Sequence, residues 1–194
     1  MKIVLASTSK QKNEILNTVH IKHSQIASDF EEKKQKNENV YSYVKRLAYG
    51  KAESIEKKCK DSIIIGLDTV CFVKGKILEK PKDEKEEREH IKLCSNAKTE
   101  VITGIAIINQ KTGEKYNNFA KTVVKMRKIS ENDVNYYINN EKDWIYASGF
   151  IIETILSNFI KKIEGSYYNI LGVPVEHIYK VINQMGYSLE DLEE

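Results

Sequence analysis

The sequence predicts an α/β protein of mixed α+β character, in which helices flank a mixed sheet. Short apolar runs typical of buried strands alternate with segments whose apolar residues recur every three or four positions, as in amphipathic helices. Around residues 99–126 two extended runs also follow each other across a turn, which predicts a long hairpin. The sheet is therefore expected to combine a hairpin with strands that are joined through helices.

The first half of the chain alternates between these two kinds of segment. KIVLA predicts a buried strand, a helix follows at about residues 9–19, and HSQIAS is a candidate second strand. After a polar loop, apolar residues at three- and four-residue steps predict a helix over residues 40–59. SIIIGLD is then an apolar strand that ends in Asp68, VCFV continues the extended pattern, and KGK turns the chain into ILEK.

The second half opens with DEKEEREHIKLC, which predicts a charged surface helix, and continues with the hairpin. Ser130 and Asp133 form a capping-box pattern before the helix ENDVNYYINN. NFIKKIEGSYYNI is predicted to be extended with a turn. A last helix, PVEHIYKVINQMG, has Pro174 near its start and Gly186 at its C-cap, and the acidic tail from about residue 187 to 194 is predicted to be exposed.

Bulk composition excludes several classes of protein. A chain of 194 residues is the size of one domain, and its net charge of +3, from 31 basic and 28 acidic residues, argues against a nucleic-acid binder. Three cysteines with no close pair favour a reducing compartment. The N-terminal apolar stretch is too short for a signal peptide or a membrane span, so we expect a cytoplasmic protein without membrane contact.

The start of the first predicted helix is a candidate phosphate site. Ser9 is a suitable N-cap, yet Lys10 and Lys12 follow it at the positive end of the helix dipole, where a cation is disfavoured by about 0.3–1 kcal/mol. An anion held by the free N–H groups of this turn would explain both lysines. The alternative is that both lysines point into water and tolerate the small penalty.

Asp68, Lys51 and Lys80 are further candidates. A carboxylate at a strand end could hold a divalent metal or accept a proton from water, although an aspartate that forms a turn is equally expected there. Lysines can neutralise phosphate oxygens, although most are solvated surface residues. Glu32 lies in a polar loop, where solvent exposure is the default.

Seven short segments occur in an order that resembles the Maf family of nucleoside triphosphate pyrophosphatases. The resemblance extends from Leu5 to about Gly186. The segments are LASTS near the start, RLAYGKA at 46–52, GLDTV at 66–70, ILEKPKD at 77–83, TGIAII at 103–108, ASGF at 147–150 and EGSYYNILGVP at 164–174.

The resemblance implies an elongated mixed sheet flanked by helices, with a cleft between two lobes, as in inosine triphosphatases. It also implies metal-dependent hydrolysis of a nucleoside triphosphate, either dTTP and UTP or modified nucleotides, to the monophosphate and pyrophosphate, with Mg²⁺ or Mn²⁺. The implied biological role is the removal of unwanted or modified nucleotides, and the implied assembly is a homodimer. The residues that it makes catalytic are Asp68, Lys80, Lys51 and Lys12. The residues that it makes substrate-binding are Ser7, Ser9, Gln11, Thr69 and Glu153. The metal ligands that it implies are Asp68 and, less directly, Glu32.

The chain departs from the family pattern in ways that bear on activity and specificity. The family's Ser-x-Ser-Pro-Arg-Arg motif continues here as Lys10, Gln11 and Lys12, so bidentate arginine contacts to phosphate are lost. Thr69 resembles the branch that acts on dTTP and UTP, whereas Glu153 resembles the branch that acts on 7-methyl-GTP-type nucleotides. The alternatives left open are that second specificity, or a nucleotide-binding regulator of cell division with little turnover.

Overall fold

The computed structural model describes residues 1–146 and 151–192. The ASGF motif at 147–150 and the last two residues of the acidic tail lie outside the described residues. Within the described ranges the mixed α/β class is confirmed, because a seven-stranded sheet carries helices between its strands. None of the helices in these ranges is long and apolar enough to cross a membrane.

The sheet is mixed. Its strands are β1 (Lys2–Leu5), β2 (Ser24–Gln25), β3 (Ser62–Val73), β4 (Lys76–Leu78), β5 (Lys98–Asn109), β6 (Lys115–Met126) and β7 (Ile160–Glu164). The strand order is β2-β1-β3-β5-β6-β7, and β4 pairs with β3. The β1 strand runs parallel to β2 and β3, whereas the β3–β4 and β6–β7 pairs are antiparallel. The predicted hairpin is confirmed as the adjacent strands β5 and β6, since so short a connection requires antiparallel strands.

Helices occupy most of the predicted positions. They are α1 (Lys10–Thr18), α2 (Val40–Ser54), α3 (Glu84–Cys94), α4 (Glu131–Asn140), α5 (Tyr167–Ile170) and α6 (Val175–Gln184). The Ser130–Asp133 capping box at the start of α4 is confirmed, and so is the glycine after α6, where Gly186 has a φ of 89°.

Several predicted boundaries were wrong. The strand that contains Asp68 does not end there but continues to Val73, because β4 pairs with its second half. Only Ser24–Gln25 of HSQIAS is a strand, and the helix predicted over residues 40–59 stops at Ser54. These boundaries depend on which partner strand or packing surface is present, which local pattern does not record.

Two predictions near the C-terminus also need correction. NFIKKIEGSYYNI is not extended throughout, since the short helix α5 follows β7. The tail is not fully exposed, because Leu192 is buried and the N-terminal amine of Met1 donates to the carbonyl oxygen of Asp191. An apolar side chain near the end of an acidic segment therefore ties the tail to the body of the protein.

The chain forms two compact units. The first unit consists of Met1–Thr69, Thr103–Ala120 and Leu171–Glu194, and the second consists of Val70–Ile102 and Lys121–Ile170. The core of the first unit is built from small and β-branched side chains of β1, α2, β3 and β5. They are Val4, Ala6, Ala48, Ala52, Ile55, Ile64, Ala106 and Ile108.

The second unit contains a buried carboxyl group. The helix α3 is not purely a surface helix, because Glu87, His90, Ile91 and Cys94 lie buried on one face. Burial raises the pKa of Glu87 to about 8, and the neighbouring Tyr137 hydroxyl offsets this only in part. Burial also lowers the pKa of His90, whose Nδ1 lies 3.8 Å from Glu87 Oε2. Near neutral pH these two side chains are therefore a neutral pair rather than an ion pair.

The raised pKa of Glu87 predicts a pH-dependent stability. Because the folded chain holds this proton more tightly than the unfolded chain, the free energy of unfolding should fall as the pH rises from about 4.5 to about 8. Glu87→Gln cannot ionise, so at pH 8 it should be more stable than the wild type by at least about 2 kcal/mol, with little difference at pH 5. Urea unfolding at both pH values measures this, and an equal effect at both would contradict the prediction.

Candidate active site

The serine-rich turn after β1 is organised by its own hydroxyl groups. Ser9 N–H donates to Ser7 Oγ at 3.1 Å, and Lys12 N–H donates to Ser9 Oγ at 3.4 Å. Ser9 is therefore the N-cap of α1, as predicted, and the first turn of α1 contains no acidic side chain. The free N–H groups of a helix start, together with this absence of carboxylates, leave a local field that favours an anion.

The two lysines of this turn have different environments. The Lys10 side chain is 89% exposed, and among the described residues it forms only a 3.7 Å pair with Glu14, as expected for a solvated lysine. Lys12 is half-buried, and its Nζ donates to the carbonyl oxygen of Leu67 at 2.9 Å. Of the two, only Lys12 is thus directed to the part of β3 that carries Asp68.

Two glycines bring α2 into direct contact with the sheet. A Cβ on Gly66 of β3 would lie 2.1 Å from the carbonyl oxygen of Ala48, and one on Gly104 of β5 would lie 2.0 Å from that of Val44. No side chain other than hydrogen fits at either position. The backbone of α2 therefore lies on β3 and β5, and Lys51 on that helix is within reach of Asp68.

A buried lysine joins two carboxylates at the centre of the site. Lys51 Nζ lies 2.7 Å from Asp68 Oδ1 and 2.8 Å from Glu32 Oε1. The side chains of Asp68 and Lys51 are 9% and 14% exposed, whereas that of Glu32 is 52% exposed. Asp68 lies within β3, three residues beyond Ile65, where pairing with β1 ends. It is therefore not the turn-forming aspartate of the alternative interpretation.

The loop that carries Glu32 is fixed against α2. The Phe30 ring covers Gly50, where an added Cβ would lie 2.4 Å from a ring carbon. Ser28 Oγ and Ser54 Oγ are hydrogen-bonded at 3.0 Å. These contacts hold the loop two residues before Glu32, so that its carboxylate can reach Lys51.

The charge state of Lys51 follows from its surroundings. Burial alone would lower its pKa, but the charge of Asp68 and the hydrogen bonds from Lys51 to Asp68 and Glu32 outweigh it, so the pKa is raised. Lys51 is therefore a permanent cation at neutral pH. It can stabilise negative charge but cannot act as a general base.

Thr69 lies beside this centre. Its Oγ1 is 3.0 Å from Oγ1 of the buried Thr103. Gly172, with a φ of 83°, brings another segment close to it, since an added Cβ would lie 3.0 Å from Thr69 Oγ1 and 3.5 Å from Lys12 Cε. Lys12 and Thr69 thus approach the same glycine.

The first unit brings together most of the predicted site residues. Lys51, Asp68 and Glu32 are in direct contact, Lys12 bonds the residue before Asp68, and Ser7 and Ser9 form the adjoining turn. Gln11 is exposed on α1. Lys80 and Glu153 are exposed residues of the second unit, and their roles stay predictions.

The donor set fits a hard divalent cation. Mg²⁺ is commonly held by one or two carboxylates together with substrate phosphates and water, and Asp68 and Glu32 supply two carboxylates that already share one cation. Within residues 1–146 and 151–192, no group of three or more His, Cys, Asp or Glu side chains could hold a metal. A metal here would therefore take its remaining ligands from substrate and water.

Sequence reasoning missed the residues that assemble the site. Gly50, Gly66 and Gly104 let α2, the sheet and the Glu32 loop come close together, and Thr103 forms a hydrogen bond with Thr69. A glycine inside a helical or strand pattern costs about 1 kcal/mol relative to alanine, so Gly50 and Gly66 were detectable signals of close packing.

The fold and the site define an α/β protein with an acid–lysine centre beside a serine-capped helix start. A family model described as Maf-like protein matches residues 2–185, and the chain belongs to this family. It is 36% identical over 191 residues to the dTTP/UTP pyrophosphatase of Clostridium novyi, covering 97% of this chain and 100% of that protein. It is 30% identical over 185 residues to the dTTP/UTP pyrophosphatase of Syntrophus aciditrophicus, covering 95% of this chain and 90% of that protein.

The contact between Lys51 and Asp68 predicts strong energetic coupling. Lys51→Met should destabilise the fold by about 3 kcal/mol, because it leaves a buried carboxylate without its cation. In an Asp68→Asn background the same change should cost less than half as much, since no buried charge is then left unpaired. Chemical denaturation of the four proteins of this cycle measures the coupling, and additive effects would show that the pair is not coupled.

Proposed function

We propose that this chain hydrolyses a nucleoside triphosphate, preferentially dTTP or UTP, to the monophosphate and pyrophosphate. The observation that carries the proposal is the Lys51 ammonium shared by Asp68 and Glu32 at 2.7 and 2.8 Å, in a member of the Maf-like family. The names of the relatives supply the substrate class.

The charges around this centre suit a polyphosphate. Lys51 is held as a cation, and Lys12 places a second ammonium group beside Leu67. The turn from Ser7 to Ser9 adds backbone N–H groups at the positive end of α1. Such fixed donors stabilise charge that grows on phosphate oxygens during bond cleavage. Lys80 would add a further cation, a role that rests on the resemblance alone.

Asp68 and Glu32 would hold the divalent metal. When bound, Mg²⁺ or Mn²⁺ lowers the pKa of water and withdraws charge from phosphate oxygens. The protein's own part is to keep the two carboxylates together through Lys51 and to keep Lys51 protonated.

The chemical step is a hydrolysis at the α-phosphorus. A water oxygen forms a bond to the α-phosphorus while one water proton passes to a carboxylate of the pair. The bond from the α-phosphorus to the bridging oxygen breaks, and pyrophosphate leaves with the electron pair. Lys51 remains charged throughout, so it stabilises the leaving group electrostatically rather than by giving up a proton.

A second specificity is favoured by one residue. Glu153 matches the family branch that acts on 7-methyl-GTP-type nucleotides, and an ionised glutamate only accepts hydrogen bonds. It could accept from a guanine N–H edge or lie against a cationic methylated ring. Thymine and uracil also present a ring N–H, but Glu153 could not donate to their carbonyl oxygens.

Pyrophosphate release from dTTP and UTP tests the activity. With Mg²⁺ or Mn²⁺ present the wild type should turn over, and Asp68→Asn should lose at least about 100-fold in kcat because proton transfer and metal binding both need the carboxylate. Asp61→Asn is the control, since Asp61 is an exposed aspartate outside the site. Wild-type turnover in Asp68→Asn would remove Asp68 from the chemistry. Calorimetric binding of dTTP without pyrophosphate release would instead support the nucleotide-binding regulator.

Exchange of Glu153 for glutamine tests the specificity. Glutamine both donates and accepts, so Glu153→Gln should raise kcat/KM for dTTP relative to 7-methyl-GTP by about tenfold. Glu176→Gln, an exposed glutamate on α6, should leave the ratio unchanged. An unaltered substrate profile in Glu153→Gln would mean that the base is recognised elsewhere.

The remaining expectations rest on the resemblance. We include a homodimer and a cytoplasmic location in the proposal, with a nucleoside triphosphate as the partner and without nucleic-acid or membrane contact. Sedimentation at several concentrations would measure the oligomeric state directly.

A further inference from the structure

Gln25 is a side chain that the proposed chemistry does not use. It lies on the short strand β2, and its Nε2 donates to the carbonyl oxygens of Ser7 at 3.1 Å and Ser9 at 3.3 Å. The two N–H bonds of this amide group therefore reach the first and the last serine of the serine-rich turn. Gln25 belongs to none of the seven segments on which the resemblance rests.

The two carbonyl contacts fix the direction of two peptide N–H groups. In a trans peptide the C=O of one residue and the N–H of the next point in opposite directions, and the described residues contain no cis peptide. A Ser7 carbonyl directed to Gln25 therefore turns the Thr8 N–H away from Gln25. In the same way, the Ser9 carbonyl, which also accepts from Asn13 N–H at 3.2 Å, turns the Lys10 N–H away.

Neither of these N–H groups donates to another group in the described part of the chain. Across residues 1–146 and 151–192, the backbone N–H groups of Thr8 and Lys10 have no hydrogen-bond acceptor. The N–H groups of Ser7, Ser9 and Lys12, by contrast, all donate within this segment. Two donors are thus left available at the positive end of α1.

We propose that Gln25 is a positioning residue for phosphate binding: by holding the Ser7 and Ser9 carbonyls, it directs the Thr8 and Lys10 N–H groups at the triphosphate. This inference rests on the proposed function and adds a residue to it. Such contacts exist both before and during bond cleavage. Their loss should therefore raise KM while kcat changes little.

Substitution of Gln25 is expected to leave the fold intact. Gln25 is exposed, and β2 is anchored through its backbone, since Ile26 N–H donates to the Leu5 carbonyl at 3.1 Å. Gln25→Met keeps the length of the side chain and its neutrality but has no donor. Gln184→Met, at the exposed end of α6, is the matched control for the same chemical change.

The kinetic test compares Gln25→Met and Gln184→Met with the wild type. For Gln25→Met we expect KM for dTTP to rise about tenfold, the scale set by one or two lost neutral hydrogen bonds, with kcat within about twofold. The melting temperature and the kinetics of Gln184→Met should match the wild type. Equal KM values in the wild type and Gln25→Met would overturn the inference, and so would a loss confined to kcat.

A second measurement separates this inference from the proposed function. Titration of the ¹⁵N-labelled wild type with inorganic tripolyphosphate should shift the amide proton resonances of Thr8 and Lys10 downfield, and these shifts should shrink in Gln25→Met. This readout needs no turnover. Tripolyphosphate binding without any shift of these two amides would refute the inference even if dTTP is hydrolysed, whereas the shifts without dTTP turnover would refute only the proposed activity.

Discussion

The salt bridge between Lys51 and two carboxylates is the interaction on which the site depends. Asp68 is nearly buried within a strand, and a charge in that position is costly unless a partner of opposite sign is held beside it. Lys51 is that partner, since its Nζ lies 2.7 Å from Asp68 Oδ1. The same Nζ lies 2.8 Å from Glu32 Oε1 and so holds Glu32 close to Asp68. The arrangement keeps two acids and a cation within one small volume, which suits an ion and a polyanion that arrive together. The proposed pyrophosphatase activity rests on this pre-organisation.

Close backbone packing makes this arrangement possible. Gly66 and Gly104 let α2 approach β3 and β5, and Gly50 lets Phe30 hold the loop that carries Glu32. A side chain at Gly66 or Gly104 would displace α2, which carries Lys51, and a side chain at Gly50 would displace the Phe30 ring. The stability of the core and the geometry of the site therefore depend on the same contacts. Gln25 has a comparable role for the serine-rich turn, through hydrogen bonds rather than packing.

Local sequence signals predicted most of the fold, because they record short-range physics. The N-cap at Ser9, the capping box at Ser130 and the hairpin all depend on neighbouring residues. Contacts between residues far apart in the sequence were harder to predict from local patterns. Local pattern did not distinguish Glu32 from Glu31, so only the resemblance indicated Glu32, and no local pattern indicated that Glu87 is buried within a highly charged helix. Order and spacing identified the family and indicated Lys12, but the exposure of Lys10 and the contact of Lys12 with the Leu67 carbonyl emerged only from the geometry.

The most direct measurement is a crystal structure of the protein with Mn²⁺ and a non-hydrolysable dTTP analogue, with the metal located by anomalous scattering. We expect a manganese peak within about 2.5 Å of an Asp68 carboxylate oxygen. We also expect analogue phosphate oxygens within about 3 Å of Lys51 Nζ. A metal and a triphosphate bound together away from Asp68 and Lys51 would show that the acid–lysine centre is not the active site.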